Sequence, residues 1–406
     1  MFRLFFPPAG LASADKKLLL LLGVAFFVGN YDMSVFSLAL PNIQASFNIA
    51  EEELGSVMAV ARLGALPAVV LALMSDRIGR RRLLMVTLLG LSITTGATGF
   101  ARTAEEFAAI QFCARAFATA EEIIAVIYVL EMLPARHRGW GVGFLAAMGG
   151  LGSGFAAFLY ALVDYLPGGW RALYVTAALP IMYLAWLRRM IPESGMFDRH
   201  AASSDSSSLW QPFRDIWRHH RREMTATALI ASAFWFQLAA TLYFMSKYLQ
   251  DTRHFEPQEV SLMFIVAGSI AILGNTVAGR ISDSIGRRPT LVAMILLHCV
   301  ATITFYNTGG ALLAVAWIAA LFGYFAVEVM VNAMSGELFP TGCRSTASTL
   351  RSVCAMFAAV AGLAAEGLLY SALGSHSAAI SILSLSSLCA IPVVLLLRET
   401  SGTELR

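Results

Sequence analysis

"SDRIGRRR" at residues 75–82 and "SDSIGRRP" at residues 282–289 are one short polar break written twice, 207 residues apart. Each lies between long apolar runs, so each reads as a tight turn in which the glycine bends the chain and the arginines stop the apolar stretch. Further pairs appear on both sides. Glu131, Pro134 and Arg138 in "LEMLPARHRG" recur 206 residues later as Glu337, Pro340 and Arg344 in "GELFPTGCRS". Glu122 maps onto Glu328, and Glu193 onto Glu399, at that same offset. Matched polar positions at one spacing mark a parallel internal repeat, which places two similar bundles about an axis along a membrane normal.

Composition names the solvent. Of 406 residues, 58% are hydrophobic and only 14% charged, and the mean hydropathy is +0.68; a soluble fold of this size is far more polar. An apolar run of about 20 residues crosses a bilayer as a helix. Such runs predict twelve crossings, near 18–40, 54–75, 83–101, 107–132, 139–163, 171–190, 224–248, 258–280, 289–306, 311–334, 345–370 and 376–397. The expected fold class is therefore an all-α integral membrane protein of two six-helix bundles, 18–190 and 224–397. Between them runs a Ser-rich linker, 191–223, and the ends are an N-terminal segment, 1–17, and a tail, 398–406.

The cations fix the expected orientation. With the N-terminus cytoplasmic, inner loops and tails hold 22 of the 29 Lys and Arg residues, and outer loops hold only Arg102, Arg171, Lys247 and Arg253. Both termini are then cytoplasmic, in a bacterial inner membrane or a plasma membrane. The net charge of +3 is a topology signal and no nucleic-acid footprint. The five cysteines contain no CxxC pair and read as small core residues. Nothing points to a metal or cofactor. There is no nucleotide-binding loop and no Ser-His-Asp arrangement, so the chain is not read as an enzyme.

The paired Asp-x-x-Gly-Arg loops carry a resemblance: over nearly its whole length the chain resembles the major facilitator superfamily. Pro192-Glu193-Ser194 and Arg398-Glu399-Thr400 resemble the metabolite-proton-symporter and sugar-porter branches. Ala72 replaces a usual glycine, Ser284 replaces a usual arginine, and Thr119 stands where a glycine normally follows the helix-four arginine. The resemblance implies a monomeric secondary transporter working by alternating access. Asp76, Arg80, Glu131, Arg138, Glu193, Asp283, Arg287, Glu337, Arg344 and Glu399 would form its cytoplasmic gate, where opposite charges pair.

Inside the first apolar run stands "NYD", residues 30–32. Asp32 is about 21 Å from the inner end of its helix at 1.5 Å per residue, the depth also reached by Arg62 and Arg115. A lone charge there is costly, so Asp32 is expected to pair, first with Arg115. Glu122 lies seven residues after Arg115 on the same face, with Glu121 beside it. Asp32, Glu122 and Glu121 are the proton-coupling candidates. Arg115, Arg62, Tyr31, Gln237, Trp235, Tyr243 and Glu328 are the substrate-binding candidates, and Phe36, Phe236, Phe244 and Tyr324 could complete an aromatic wall. This reading confines the ion pair to the N-terminal half, has Arg351 snorkel to the inner surface, and treats His298 as a packed or hydrogen-bonded side chain. The expected activity is uptake of a small organic anion with protons, the partners being that solute, protons and membrane lipid. The alternatives are a proton-driven exporter of lipophilic or cationic compounds, drawn by Glu121 and Glu122, and a solute sensor that does not transport.

Overall fold

The computed structural model describes residues 13–78, 80–133, 137–176 and 211–400. Outside these lie most of the predicted crossing at 171–190, the linker centre with Glu193, and the positions Gly79 and Pro134. The side chains of Asp76, Arg80, Glu131 and Arg138 are likewise not described. Among the described residues every regular element is helical.

Contacts divide the chain into two units, Met1–Asn48 with Val60–Asp205, and Ile49–Ala59 with Ser206–Arg406. The first contains α1 (Ser13–Leu38), α2 (Leu40–Phe47), the end of α3 (Glu51–Leu63), α4 (Ala65–Ile78), α5 (Arg80–Thr98), α6 (Ala104–Met132), α7 (Arg138–Tyr160) and α8 (Trp170–Thr176). The second contains the start of α3, then α9 (Gln211–His219), α10 (Arg221–Tyr243), α11 (Pro257–Ala271), α12 (Leu273–Ile285), α13 (Arg287–Asn307), α14 (Ala311–Leu338), α15 (Thr341–Leu373), α16 (His376–Leu385) and α17 (Ala390–Leu396).

Eight described helical stretches are long and apolar enough to cross a membrane. Leu20, Val70, Phe158, Val300, Val315 and Leu368 lie exposed on their faces, as do Ile93 and Leu262 on two shorter apolar helices, a distribution that water would penalise and hydrocarbon accepts. Local chemistry sets the ends. The Thr103 hydroxyl accepts from the Glu106 amide at 3.2 Å to start α6, and the Ser375 hydroxyl accepts from the Ala378 amide at 3.3 Å to start α16. Gly374 closes α15 in the left-handed conformation, at φ 66°.

Each unit has its own core. Leu18, Leu22 and Ala25 of α1 pack with Leu84 and Leu88 of α5 and with Ile124, Ala125 and Tyr128 of α6. In the second unit Ile230, Phe234 and Leu238 of α10 pack with Leu291 and Ile295 of α13 and with Val327, Met330, Val331 and Met334 of α14. The spacings of three and four are those of one helical face.

The repeat also appears in the backbone. An added Cβ at Gly64, in the break between α3 and α4, would lie 1.9 Å from the Phe112 carbonyl oxygen of α6; 210 residues later one at Gly274 would lie 2.7 Å from that of Phe322. Similarly Gly152 of α7 meets the Phe27 carbonyl of α1 at 2.1 Å, and Gly362 of α15 meets the Phe236 carbonyl of α10 at 1.6 Å. The pairs α1–α7 and α10–α15 make the most extensive helix contacts of their units. Only residues without a Cβ permit approaches this close.

Candidate functional site

In the first unit, Gln111, Arg115 and Glu122 form one stripe on α6 facing α1. Asp32 is 1% exposed and Arg115 8%. The Gln111 amide donates to Asp32 Oδ1 at 3.5 Å and to Thr98 Oγ1 at 3.2 Å. Arg115 acts electrostatically on both Asp32 and Glu122. The Asn30 amide donates to Glu122 Oε1 at 3.3 Å and to its own helix at the Phe26 carbonyl, 3.0 Å. One guanidinium thus lies within electrostatic reach of two carboxylates from different helices. Glu121 differs: it is fully buried, and among the described residues neither of its oxygens has a hydrogen-bond partner. Arg62 lies in the last turn of α3. The Tyr31 hydroxyl is committed to the Leu173 carbonyl of α8 at 2.7 Å and to Thr176 at 3.1 Å, so Tyr31 ties α1 to α8.

In the second unit the Trp235 indole donates to Glu328 Oε1 at 2.7 Å. Arg351 does not snorkel. It is 6% exposed, donates through Nη2 to Asn332 Oδ1 at 2.5 Å, and is electrostatically coupled to Glu328. This corrects the sequence reading: a carboxylate–arginine set exists in the C-terminal half as well. Ten residues inside α15, about 15 Å, is too deep for the side chain to reach an interface. Gln237 is fully buried, its amide 2.9 Å from His298 Nε2, while His298 Nδ1 lies 2.8 Å from the Ala320 carbonyl. With Nδ1–H donating to Ala320, Nε2 is left to accept from Gln237, which satisfies both. Tyr243, Phe36 and Phe244 are buried; of the aromatic positions only Trp235, Phe236 and Tyr324 keep partial exposure.

The described part of the expected gate is a compact knot. Arg287 Nη1 meets Asp283 at 2.7 Å and Nη2 meets Glu337 at 3.0 Å. The Thr400 hydroxyl donates to Glu337 at 2.6 Å. The Glu399 carboxylate accepts from the backbone N–H of Arg287 at 2.7 Å and of Arg288 at 3.1 Å, capping the start of α13 where the helix dipole favours an anion. Gly286, at φ 106°, is required twice, because an added Cβ would also sit 2.8 Å from Glu399. Arg344 donates to the Phe339 carbonyl at 3.5 Å.

A second charged cluster went unseen in the sequence. His376 Nε2 meets Glu51 at 2.8 Å and Nδ1 meets Glu366 at 2.5 Å. Lys247 donates to Glu51 at 3.1 Å and to Asp251 at 2.6 Å, and the Tyr370 ring stacks on His376 at 4.2 Å. Both imidazole nitrogens facing carboxylate oxygens is the arrangement of an imidazolium, with two donors. The cysteines are free; Cys299 and Cys343 are buried, whereas Cys113, Cys354 and Cys389 are exposed, which corrects their reading as core residues. Among the described residues no group of His, Cys, Asp and Glu is arranged to hold a metal ion.

Comparison with known proteins places the chain. The chain is 25% identical to NiaP of Bacillus subtilis (strain 168), named for niacin/nicotinamide transport, over 97% of this chain and 98% of that one. It is 26% identical to the cis,cis-muconate transport protein of Acinetobacter baylyi, over 80% of each. Its fold superposes on a D-xylose-proton symporter with a TM-score of 0.80 at 17% identity, covering 97% of this chain and all of that one. A family model described as Major Facilitator Superfamily matches residues 22–275 and 228–405. The chain therefore belongs to the Major Facilitator Superfamily, as a multi-pass membrane transporter.

Proposed function

We propose that the protein is a proton-coupled importer of a small organic anion, built of twelve crossings in two six-helix bundles with both termini cytoplasmic. The observation that carries this is Arg115 set against Asp32 and Glu122. While Asp32 is ionised it holds the guanidinium. A proton entering from outside neutralises Asp32, and Arg115 turns its planar fork to a substrate carboxylate. Proton and anion then occupy the site together, and Glu122 and Glu121 receive the proton on its way inward. The gate residues pair and separate as the two bundles alternate. Relatives named for niacin/nicotinamide and for cis,cis-muconate support an organic-acid substrate.

The test uses proteoliposomes. Asp32→Asn should abolish accumulation driven by a pH gradient while leaving substrate counterflow intact. Loss of both would give Asp32 a binding or folding role instead. The exporter reading keeps one observation in its favour, the unpartnered acid Glu121. Stabilisation of the purified protein by lipophilic cations at neutral pH, and not by carboxylates at acidic pH, would establish it.

A further inference from the structure

α14 is apolar almost throughout, yet Tyr324, Glu328 and Asn332 fall at spacings of four on a single stripe. Tyr324 and Glu328 are partly exposed and Asn332 is exposed, while Val327, Met330, Val331 and Met334 on the remaining surface are buried. A polar stripe open to its surroundings along the middle of a membrane helix faces water rather than lipid, because an acid against hydrocarbon is expensive. Glu328 is ten residues, about 15 Å, from the Leu338 end of α14. Arg351 stands ten residues into α15 and reaches the stripe at Asn332.

The guanidinium is incompletely used. It has five N–H donors; Nη2 serves Asn332, and the charge is offset by Glu328. Its Nε is buried, and among the described residues it has no hydrogen-bond partner. Nε together with one Nη is an edge with which arginine grips a carboxylate in two parallel bonds. Beside it, the Trp235 indole is pinned by its bond to Glu328, with Tyr324 edge-on at 6.3 Å. The wall next to the cation is therefore flat, rigid and aromatic.

We propose that Arg351 is the receptor for the substrate's carboxylate in the C-terminal half, and that Trp235 selects acids whose carboxylate is attached to a flat, conjugated body. This rests on the organic-anion reading above, takes Arg351 in place of Arg115 as the group that grips the carboxylate, and narrows the substrate class. Glu328 is the internal competitor: ionised, it neutralises Arg351; on taking a proton from water it yields the guanidinium to the incoming anion. No other bond is made or broken. The protonated carboxyl keeps an oxygen that accepts from the Trp235 indole, so Trp235 stays pinned and presents a fixed ring face to the ligand.

The experiment measures binding of benzoate and of cyclohexanecarboxylate, its non-planar counterpart, to the full chain in detergent by calorimetry. Wild type should bind benzoate, and more tightly than cyclohexanecarboxylate. Arg351→Lys should weaken benzoate binding by about tenfold or more as the two-pronged contact is lost. Trp235→Leu should erase the preference between the two acids. Benzoate affinity unchanged in Arg351→Lys but lost in Arg115→Lys would overturn this inference and leave the anion reading standing. Failure of benzoate, nicotinate and cis,cis-muconate alike to bind wild type would overturn this inference, and only failure of cyclohexanecarboxylate as well would overturn the anion reading with it. If Arg351→Lys does not fold, the ratio between the two acids in Trp235→Leu decides, and an unchanged ratio overturns the proposal.

Discussion

Replacing Gly362 by alanine should damage the second unit out of proportion to the one methyl group added. The new Cβ would lie 1.6 Å from the Phe236 carbonyl oxygen, whereas carbon and oxygen rest at a little over 3 Å, so α10 and α15 must part by about 1.5 Å. A radial gap of 0.5–1 Å already forfeits roughly a quarter to a half of each dispersion contact. The pair involved is the most extensive in its unit. Overpacking costs about 1–3 kcal/mol in ordinary cores, and a rigid backbone oxygen as the obstacle places this case at the upper end. At roughly 2–4 °C per kcal/mol for a unit of this size, the thermal midpoint should fall by about 6–12 °C. The control is Gly150→Ala on α7, where nothing lies within 4 Å of the added atom and better helix propensity favours alanine by about 0.5–1 kcal/mol. Thermal unfolding of both variants in detergent reads the difference. A midpoint for Gly362→Ala unchanged from wild type, or an equal fall in the control, would refute the argument.

Removing the Glu399 carboxylate as Glu399→Gln weakens the cap on α13 and should cost about 1 kcal/mol; faster amide exchange at Arg287 and Arg288 would report it. His376→Leu strips the donor from Glu366, which is fully buried, and should cost about 1–3 kcal/mol. The double variant with Glu366→Leu should recover part of that loss, and equal losses in the single and double variants would show that the contact is idle. In wild type, both His376 bonds need the imidazolium, so this contribution is present at acidic pH and is lost as the pH rises through the titration of His376; a melting series against pH in wild type and His376→Leu isolates it.

The repeat was legible because its markers are charged or glycine residues standing in apolar sequence. The helix breaks were not. Predicted crossing two, at 54–75, is two helices, α3 and α4, interrupted at Gly64, where the backbone of α6 comes closest. Asp32 and Arg115 could be singled out because an acid and an arginine at one depth have few other ways to be accommodated. Arg351 was misjudged by counting from the helix end alone; the four-residue spacing of Tyr324, Glu328 and Asn332 was the signal that a polar face awaited it. Glu51, Lys247 and His376 escaped notice for a different reason. They come from separate helix ends, where a charge ordinarily means only that the chain has reached water, and no spacing joins them. Tyr31 and Gln237 look like ligand contacts in sequence, but their polar atoms are committed to Leu173 and His298, partners that only folding brings near.

The two carboxylate–arginine sets differ electrically. With every group ionised, Asp32, Glu121 and Glu122 against Arg115 leave the first set two negative charges in excess, while Glu328 and Arg351 cancel in the second set. Carrying one elementary charge through 100 mV is worth about 2.3 kcal/mol. Under the proposed mechanism a transport step with the first set's acids bare does work against or with the membrane voltage, and a step with two protons and no anion aboard does none. Voltage then acts on the proton count of both sets, since a proton on Glu328 leaves Arg351 with a net positive charge until the incoming anion neutralises it. Transient currents of wild type and Asp32→Asn on a solid-supported membrane would register that dependence as a change in the charge moved per turnover.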